Sequence, residues 1–460
     1  MQPDLHIIIL AAGKGTRMRS NLPKVLHRLG GKPLLEHVIR TATAINPKQI
    51  HVVYGDGGKQ VIEALPHINV NWVEQKQQLG TGHAVMQVLP LLPKDSQILI
   101  LYGDVPLISE QALRDLVLNT PANGLSLMTA ELDNPTGFGR IMRDPLGNIK
   151  AIIEHKDATS GQKEIKEINT GIMCTSFAIL QNYLPKLNQH NAQGEYYLTD
   201  IIAMAVTDKL PITGIVAVTE EEVLGINDHV QLAKLERYYQ KQLANDLMHQ
   251  GLTLLDPARF DLRGELQIGT DVTFDVNVII EGQVSIGANT TVANNNFLKN
   301  VTIGENVEIR PNCVIEDAII EDNCIIGPFA RIRPKSLIKA GAHVGNFVET
   351  KNTVLGKNSK ANHLTYLGDA TIGQNVNVGA GTITCNYDGV NKHQTIIEDG
   401  AFIGSDVTLV APIRIGKNAT IGASSCVSCD APDDKLTVAR ARQVTIEGWS
   451  KPKKTKTESD

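Results

Sequence analysis

No stretch of this sequence is apolar for long enough to cross a membrane: the early run Ile7-Ile8-Ile9-Leu10 is short, and nothing later approaches a span. The opening residues, MQPDLHIIILAAG, also lack the basic segment of a secretion signal, so a cytoplasmic chain with no membrane partner is expected. Cysteine is scarce, six in 460 residues, which excludes a disulfide framework and points to reduced thiols. Cys426-Val-Ser-Cys429 has no second pair and no histidines nearby, and reads as structural rather than zinc-binding or redox-active. Positive charge is not in excess either. A net charge of −5 argues against a nucleic-acid partner, although a local cluster of cations still sets its own field for small anionic substrates.

What is present is a globular composition, 20% charged and 42% hydrophobic, in a chain of 460 residues, too long for one core. Residues 1–227 alternate short β-rich runs with helical segments. Ile7–Leu10, Ile50–Tyr54 and Ile98–Tyr102 read as buried parallel strands; Leu34–Ala44 and Gln111–Leu118 read as helices between strands. That is the α/β pattern of a doubly wound, Rossmann-like sheet, with ligands expected at the carboxyl ends of its strands. Residues 228–250 carry Leu232, Leu235, Tyr239, Leu243 and Leu247 near helical spacing, with Asn227 or Asp228 as the cap and Gly251 as the stop. One long linker helix is predicted.

From 251 to 437 the period changes. Aliphatic residues return at every sixth position: Ile268, Phe274, Ile280, Ile286, Val292 and Leu298, then Ile303, Ile309 and Ile315, then Ile326, Ile332, Ile338 and Val344. The pattern continues at Leu355, Ala361 and Leu367, at Ile372 and Val378, and from Ile397 through Ile403, Leu409, Ile415 and Ile421 to Val427. A six-residue period fits a parallel β-helix in which each short strand turns one residue inward. Between Thr384 and Ile397 the sequence CNYDGVNKHQTI interrupts the repeat and reads as an extruded loop. Residues 438–460 form an extension whose charged end, KPKKTKTESD, reads as a solvated, disordered tail.

The most informative motif is Leu10 to Lys24, LAAGKGTRMRSNLPK, directly after the first strand. Its glycines let backbone amides approach phosphate oxygens, and Lys14, Arg17 and Lys24 supply charge. This order resembles the nucleotide-sugar pyrophosphorylases, and the hexad repeat resembles the left-handed β-helix of the hexapeptide acyltransferases, which are trimers. ADP-glucose pyrophosphorylases also join these two parts, with a non-catalytic helix. HLTYLGDA, HVGNFVE, NVGAGTITCNYDG, FIGSD and QLGTGHA decide between the options. Together they resemble the bacterial family of bifunctional N-acetylglucosamine-1-phosphate uridyltransferases/glucosamine-1-phosphate acetyltransferases, from Ile7 to about Trp449. Two departures stand out: Asn362 where the family favours glycine, and Phe138 where it favours tyrosine.

The resemblance implies two activities and two sites. In the first, a sugar phosphate attacks the α-phosphorus of UTP and releases pyrophosphate, a reaction limited by charge rather than by proton transfer. Nucleotide contacts are implied at Leu10, Ala11, Ala12 and Gly13, with Gln75, Gly80 and Thr81 holding the uracil and Tyr102 and Gly103 lining the site. Arg17 and Lys24 would bind phosphates. Asp104 and Asn227 would hold Mg²⁺, although Asp104 also reads as a turn residue and Asn227 as a helix cap. Sugar contacts map to Gly139, Glu154 and Asn169. In the second site the amine of glucosamine 1-phosphate attacks acetyl-CoA and needs a base, for which His363 is the candidate. Arg333 and Lys351 would bind the sugar phosphate, and Tyr366 and Asn377 would position the sugar. Acetyl-CoA contacts are implied at Ala380, Asn386, Tyr387, Ser405, Ala423 and Arg440; either Ala380 or Ser405 would stabilise the oxyanion. A helix serving only structure, and a non-catalytic trimerisation scaffold, are the competing readings.

Overall fold

The computed structural model describes residues 3–55 and 57–453; the end of the charged tail, 454–460, lies outside them. The chain divides into two compact units, Met1–Asn245 and Asp246–Asp460. The division falls within the helix His229–His249, where the sequence suggested bounds at 227 and 250. No helix among the described residues is long and apolar enough to cross a membrane.

The first unit is built on strands that read as apolar runs because both faces are covered. Its sheet runs Ile212–Val216, Leu125–Glu131, Glu167–Ser176, Gln97–Tyr102, Leu5–Ala11, Gln49–Tyr54 and Asn71–Glu74, with the hairpin Gly139–Arg143 and Ile149–Ile153 attached through Glu167–Ser176. The three strands expected to be parallel are parallel, with Ile7 opposite both Ile50 and Leu99. Glu167–Ser176 is antiparallel to both its neighbours, so the sheet is mixed. Alternate residues of the first strand enter opposite cores. Ile7 and Ile9 pack with Leu35 and Val38 of helix Leu34–Ala44 and with Leu113 and Leu116 of Glu110–Leu118. Ile8 and Leu10 pack with Val85 and Val88 of Thr81–Val88 and with Leu180 and Ile201. Two covered faces make the sheet doubly wound.

A histidine pair on adjacent strands is among the buried polar groups of this unit. His6 Nδ1 lies 3.5 Å from His51 Nε2 on the neighbouring strand, and Asn71 Nδ2 lies 3.0 Å from His51 Nδ1. Burial, reinforced by His6, pushes the His51 imidazole down to about 4.

The helix His229–His249 starts and stops by the expected chemistry. Asp228, not Asn227, caps it: the Gln231 amide donates to Asp228 Oδ1 at 2.8 Å. At its end Gly251 takes a φ of +107°, its amide donates to Met248 O, and the Leu252 amide donates to Leu247 O. That paired arrangement closes the last turn around a glycine.

The second unit is a parallel β-helix of hexapeptide repeats, consistent with the left-handed form. Leu262, Ile280, Leu298, Ile315, Ile332, Thr350 and Leu367 lie opposite one another on successive coils, 17 or 18 residues apart, so each coil takes three hexads. Every aliphatic hexad residue named above is buried except Ile268, which is half-buried at the first coils. Threonine stands in register with the inward aliphatic residues at Thr350, whose Oγ1 lies 3.1 Å from Ser336 Oγ, and at Thr384, whose Oγ1 donates to Gly368 O at 3.0 Å. The coils turn on left-handed residues, mostly asparagine, such as Asn277, Asn295 and Asn312 with φ of 59°, 59° and 63°. Asn277 Nδ2 donates to Asn295 Oδ1 at 2.9 Å, and Asn295 Nδ2 to Asn312 Oδ1 at 3.2 Å, forming a ladder along one corner. The interruption after Cys385 is a loop closed by the His393 amide on Asn386 O at 2.8 Å and by pairing of Tyr387 with Lys392.

Candidate active site

In the first unit, residues from four separate stretches meet beyond the ends of the central strands. The loop after Leu5–Ala11 turns at Gly15, whose φ is +57°; a Cβ there would stand 2.7 Å from Lys24 Cβ, so glycine lets Lys24 come in. Lys24 Nζ pairs with Asp104 Oδ2 and donates to Asn227 Oδ1 at 3.2 Å, while Arg17 donates to the same Asn227 oxygen at 2.8 Å. Because Asp228 does the capping, the Asn227 side chain is free for this cluster. Asp104 sits in the turn after Gln97–Tyr102, where its carbonyl accepts the Ile226 amide at 2.9 Å and brings the Asn227 segment alongside. His229 Nε2 lies 3.1 Å from Met18 O, fixing the short turn Thr16–Met18 that carries Arg17.

Around this cluster stand the other expected residues. Leu10 accepts the Gly103 amide at 2.9 Å, and Leu10, Ala11 and Ala12 close the first strand against it, with the exposed Gly13 next in the loop. Gln75 is buried at the end of Asn71–Glu74 and donates to Gly80 O at 3.1 Å. Gly80, at φ +107°, precedes helix Thr81–Val88, and Thr81 Oγ1 accepts the Leu198 amide at 3.1 Å. Burial, then Glu154 and Asp104, push the Tyr102 phenol far above its ordinary range, so it stays a donor. Burial likewise raises Glu154, which accepts from Thr199 Oγ1 at 3.2 Å. Asn169 lies opposite Gly139 in register, and Gly139 faces the Glu154 carboxylate.

In the second unit the candidate residues form two groups. His363, Ala380, Ser405 and Ala423 each precede a left-handed corner residue: Leu364, Gly381, Asp406 and Ser424. The amides of Gly381, Asp406 and Ser424 donate to Leu364 O, Ala380 O and Ser405 O, so these corners stack coil upon coil. Arg440, beyond the last strand, folds back to donate to Ala423 O at 2.7 Å. The second group is cationic. Arg333 donates to Glu349 Oε1 at 2.7 Å, and that bond holds its guanidinium above its ordinary value. Lys351 is pulled below its ordinary value by the neighbouring cations, Lys392 first and then Arg333. Tyr366 lies opposite Glu349 on the next coil, and its ring covers Gly368, the neighbour of Lys351 in register. Asn377 stands on another face, opposite Lys360, with no hydrogen bond to this group among the described residues. Asn386 Nδ2 donates to Asp369 Oδ2, anchoring the loop that exposes Tyr387. Asn362 leaves the strand Lys360–Gly368 unbroken, and its Oδ1 is buried without a partner.

Lys392 and Glu349 are parts of this group that the sequence reading missed. A lysine in a loop of Asn, Asp and Gly carries no signal of its own; only the fold of the loop onto Lys351 reveals it.

Comparison with known proteins places the chain in a family. Residues 7–161 match the MobA-like NTP transferase domain, 262–338 the GMPPB C-terminal domain, and 394–429 the bacterial transferase hexapeptide repeats. The bifunctional protein GlmU of Coxiella burnetii is 60% identical over 451 residues, covering 98% of this chain and 99% of that protein. The GlmU of Methylococcus capsulatus is 54% identical over 457 residues, 99% of both chains. The chain belongs to the GlmU family. The GlmU of Acinetobacter baumannii, 54% identical over 450 residues and covering 98% of this chain and 99% of its own, extends the same match across both units. As a member of that family, the chain is a bifunctional transferase with a nucleotidyltransferase unit and a hexapeptide acyltransferase unit.

Proposed function

We propose that the β-helix acetylates glucosamine 1-phosphate with acetyl-CoA, and that the first unit then transfers UMP from UTP to N-acetylglucosamine 1-phosphate. The observation that carries this reading is the convergence of Arg17, Lys24, Asp104 and Asn227, which suits phosphoryl transfer to a nucleophile already anionic.

In the uridyl transfer, Arg17 and Lys24 neutralise phosphates, the Tyr102 hydroxyl donates, and Gln75 with Gly80 and Thr81 receives the uracil edge. Leu10 to Gly13 line the nucleotide's path, Gly103 leaves it room, and Gly139, Glu154 and Asn169 hold the sugar. The donor set fits Mg²⁺. Two oxygens, from Asp104 and Asn227, already share one cationic partner, the Lys24 ammonium. No group of three or more His, Cys, Asp or Glu suited to a metal occurs among the described residues, and Mg²⁺ characteristically takes few protein oxygens beside substrate phosphates. Asp104 and Asn227 would hold the ion, which when bound offsets the charge gathered by the departing pyrophosphate.

In the acetyl transfer, His363 takes the proton of the attacking amine. Lys351, with its neighbours Lys392 and Arg333, is a group of three cations suited to the sugar phosphate. Tyr366 and Asn377 orient the sugar. Asn386, Tyr387, Ala423 and Arg440 hold acetyl-CoA, and the corner at Ala380 and Ser405 stabilises the tetrahedral oxyanion.

The active form is a homotrimer. Phe329, Phe347 and Leu364 take left-handed φ values of 55°, 54° and 43° on the corner where asparagines stand in earlier coils. Such a conformation costs a bulky residue roughly 1–2 kcal/mol. The three are 48, 60 and 65% exposed, and the two phenyl rings stack 5.3 Å apart. An exposed apolar ladder beside His363 suits cover by neighbouring copies, which would complete the acetyl site. The small substrates and the acidic net charge suit a cytoplasmic enzyme with no nucleic-acid or membrane partner.

Product analysis of the purified protein tests the whole reading. With glucosamine 1-phosphate, acetyl-CoA, UTP and Mg²⁺ the product should be UDP-N-acetylglucosamine. Without UTP it should stop at N-acetylglucosamine 1-phosphate, and without acetyl-CoA the substrate should remain unchanged. Formation of the acetylated sugar phosphate in the absence of acetyl-CoA, or of no product in the full mixture, contradicts it.

A further inference from the structure

Among the described residues Arg140 is the largest fully buried side chain, 1% exposed, yet no carboxylate pairs with it there. Its Nη1 donates to Phe138 O; its Nη2 donates to Lys163 O at 3.3 Å and lies 3.5 Å from His155 Nδ1. Its Nε is buried without a partner. Burying a cation with only neutral acceptors is costly, and an apolar side chain would fill the same volume more cheaply. What the guanidinium adds is a rigid fork that sets the mutual positions of several acceptors.

Those acceptors lie on three segments around one short hairpin: the entry to strand Gly139–Arg143, the exit from strand Ile149–Ile153, and the last turn of helix Ser160–Lys163. Arg140 lies opposite Ile153 in register and shares its face. Gly139 and Glu154 occupy the other face: a Cβ on Gly139 would stand 3.5 Å from both Glu154 carboxylate oxygens. Asn169 is tied to the same place, since it lies opposite Gly139 and Ile168 lies opposite Arg140. Arg140 thus fastens the rear of a wall whose front presents Gly139 and Glu154.

We infer that Arg140 is a positioning residue for the sugar phosphate: its links to Phe138, His155 and Lys163 hold Gly139 and Glu154 at the spacing the sugar needs. This rests on the assignment of Gly139, Glu154 and Asn169 to the sugar in the proposed uridyl transfer. Arg140 touches neither the nucleotide cluster nor the substrate, so its loss should act on one substrate alone.

The test is steady-state uridyl transfer by the full-length protein, varying N-acetylglucosamine 1-phosphate and UTP in turn, for the parent, Arg140→Met and Arg140→Lys. Arg140→Met should raise the KM for the sugar phosphate roughly tenfold or more, with the KM for UTP within about twofold of the parent. Arg140→Lys should fall between the two, because an ammonium cannot span all three acceptors. If Arg140→Met does not fold, the intermediate rise in Arg140→Lys carries the same comparison. General loosening of the unit would lower the active fraction without singling out the sugar. A sugar KM unchanged in the lysine variant, or both KM values rising together, overturns the inference. Failure of the parent to make UDP-N-acetylglucosamine would instead sink the underlying assignment, and is seen before any variant is compared.

Discussion

Arg17 and Asn227 meet across 210 residues of chain, whereas His363, Ala380, Ser405 and Ala423 follow one another up a single corner, one coil at a time. The first site is gathered from loops that a sheet happens to end together. Those four stacked residues are laid down by repetition, each set just before a left-handed corner residue. Gathered sites depend on a few long-range contacts, such as the Ile226 amide on the Asp104 carbonyl. Stacked sites depend on a corner staying regular, and on what covers that corner.

Four expectations follow that would separate or merge the two kinds of site. The largest effect belongs to His363→Ala, which should slow acetyl transfer roughly 10²–10⁴-fold while uridyl transfer stays near the parent. Acetyl transfer within a few fold of the parent would remove His363 from the chemistry. Next, Asp104→Asn should reduce uridyl transfer roughly hundredfold and shift its Mg²⁺ dependence upward, since an amide keeps the shape and loses the charge. Acetyl transfer should be spared. An unchanged Mg²⁺ titration would reduce Asp104 to a turn residue.

The third concerns the cover. Phe347→Asp places charge in the exposed ladder, and light scattering should report smaller species than for the parent. Acetyl transfer should fall several-fold or more and uridyl transfer little, because only the stacked site borders that corner. A trimeric, fully active variant would mean that the ladder faces solvent.

The smallest effect is thermodynamic and belongs to the gathered unit. His51 titrates near 4 when folded and near 6.5 when unfolded, because burial disfavours its charge. As pH falls from about 6.5 toward 4, the unfolded chain takes up a proton that the folded one refuses. Stability should therefore decline across that window and level off below it. His51→Gln should flatten the decline, read as the melting temperature of the transition lost on lowering pH. A parallel slope in the variant would place the proton uptake elsewhere.

Much of this was legible because each rule acts locally. Ile326, Ile332 and Ile338 announce the prism since each short strand turns one residue inward, and every turn of phase shows in the spacing. LAAGKGTRM was legible as a loop after a strand because Gly15 takes a left-handed φ that lets Lys24 approach. Other features were illegible for equally physical reasons. Phe329, Phe347 and Leu364 share a dihedral with Asn277 and Asn295, so the corner that bears His363 differs from its neighbours only in side chains that the hexad period ignores. Asn227 and Asp228 are both capping residues by type, and only the bond from Gln231 shows which one caps and which reaches Lys24. Arg140 carries no sequence signal, because its burial and its three acceptors arise only from the packing of segments around the hairpin.

We propose that two independent sites, one per unit, act in series through a free sugar phosphate. Mixing His363→Ala with Asp104→Asn tests it most directly. Each variant alone, given glucosamine 1-phosphate, acetyl-CoA, UTP and Mg²⁺, should make little UDP-N-acetylglucosamine. Asp104→Asn should accumulate N-acetylglucosamine 1-phosphate, and His363→Ala should accumulate nothing. The mixture should restore the final product, because each protein supplies the step the other lacks. A mixture as inactive as its parts, or either variant fully active alone, would contradict the account.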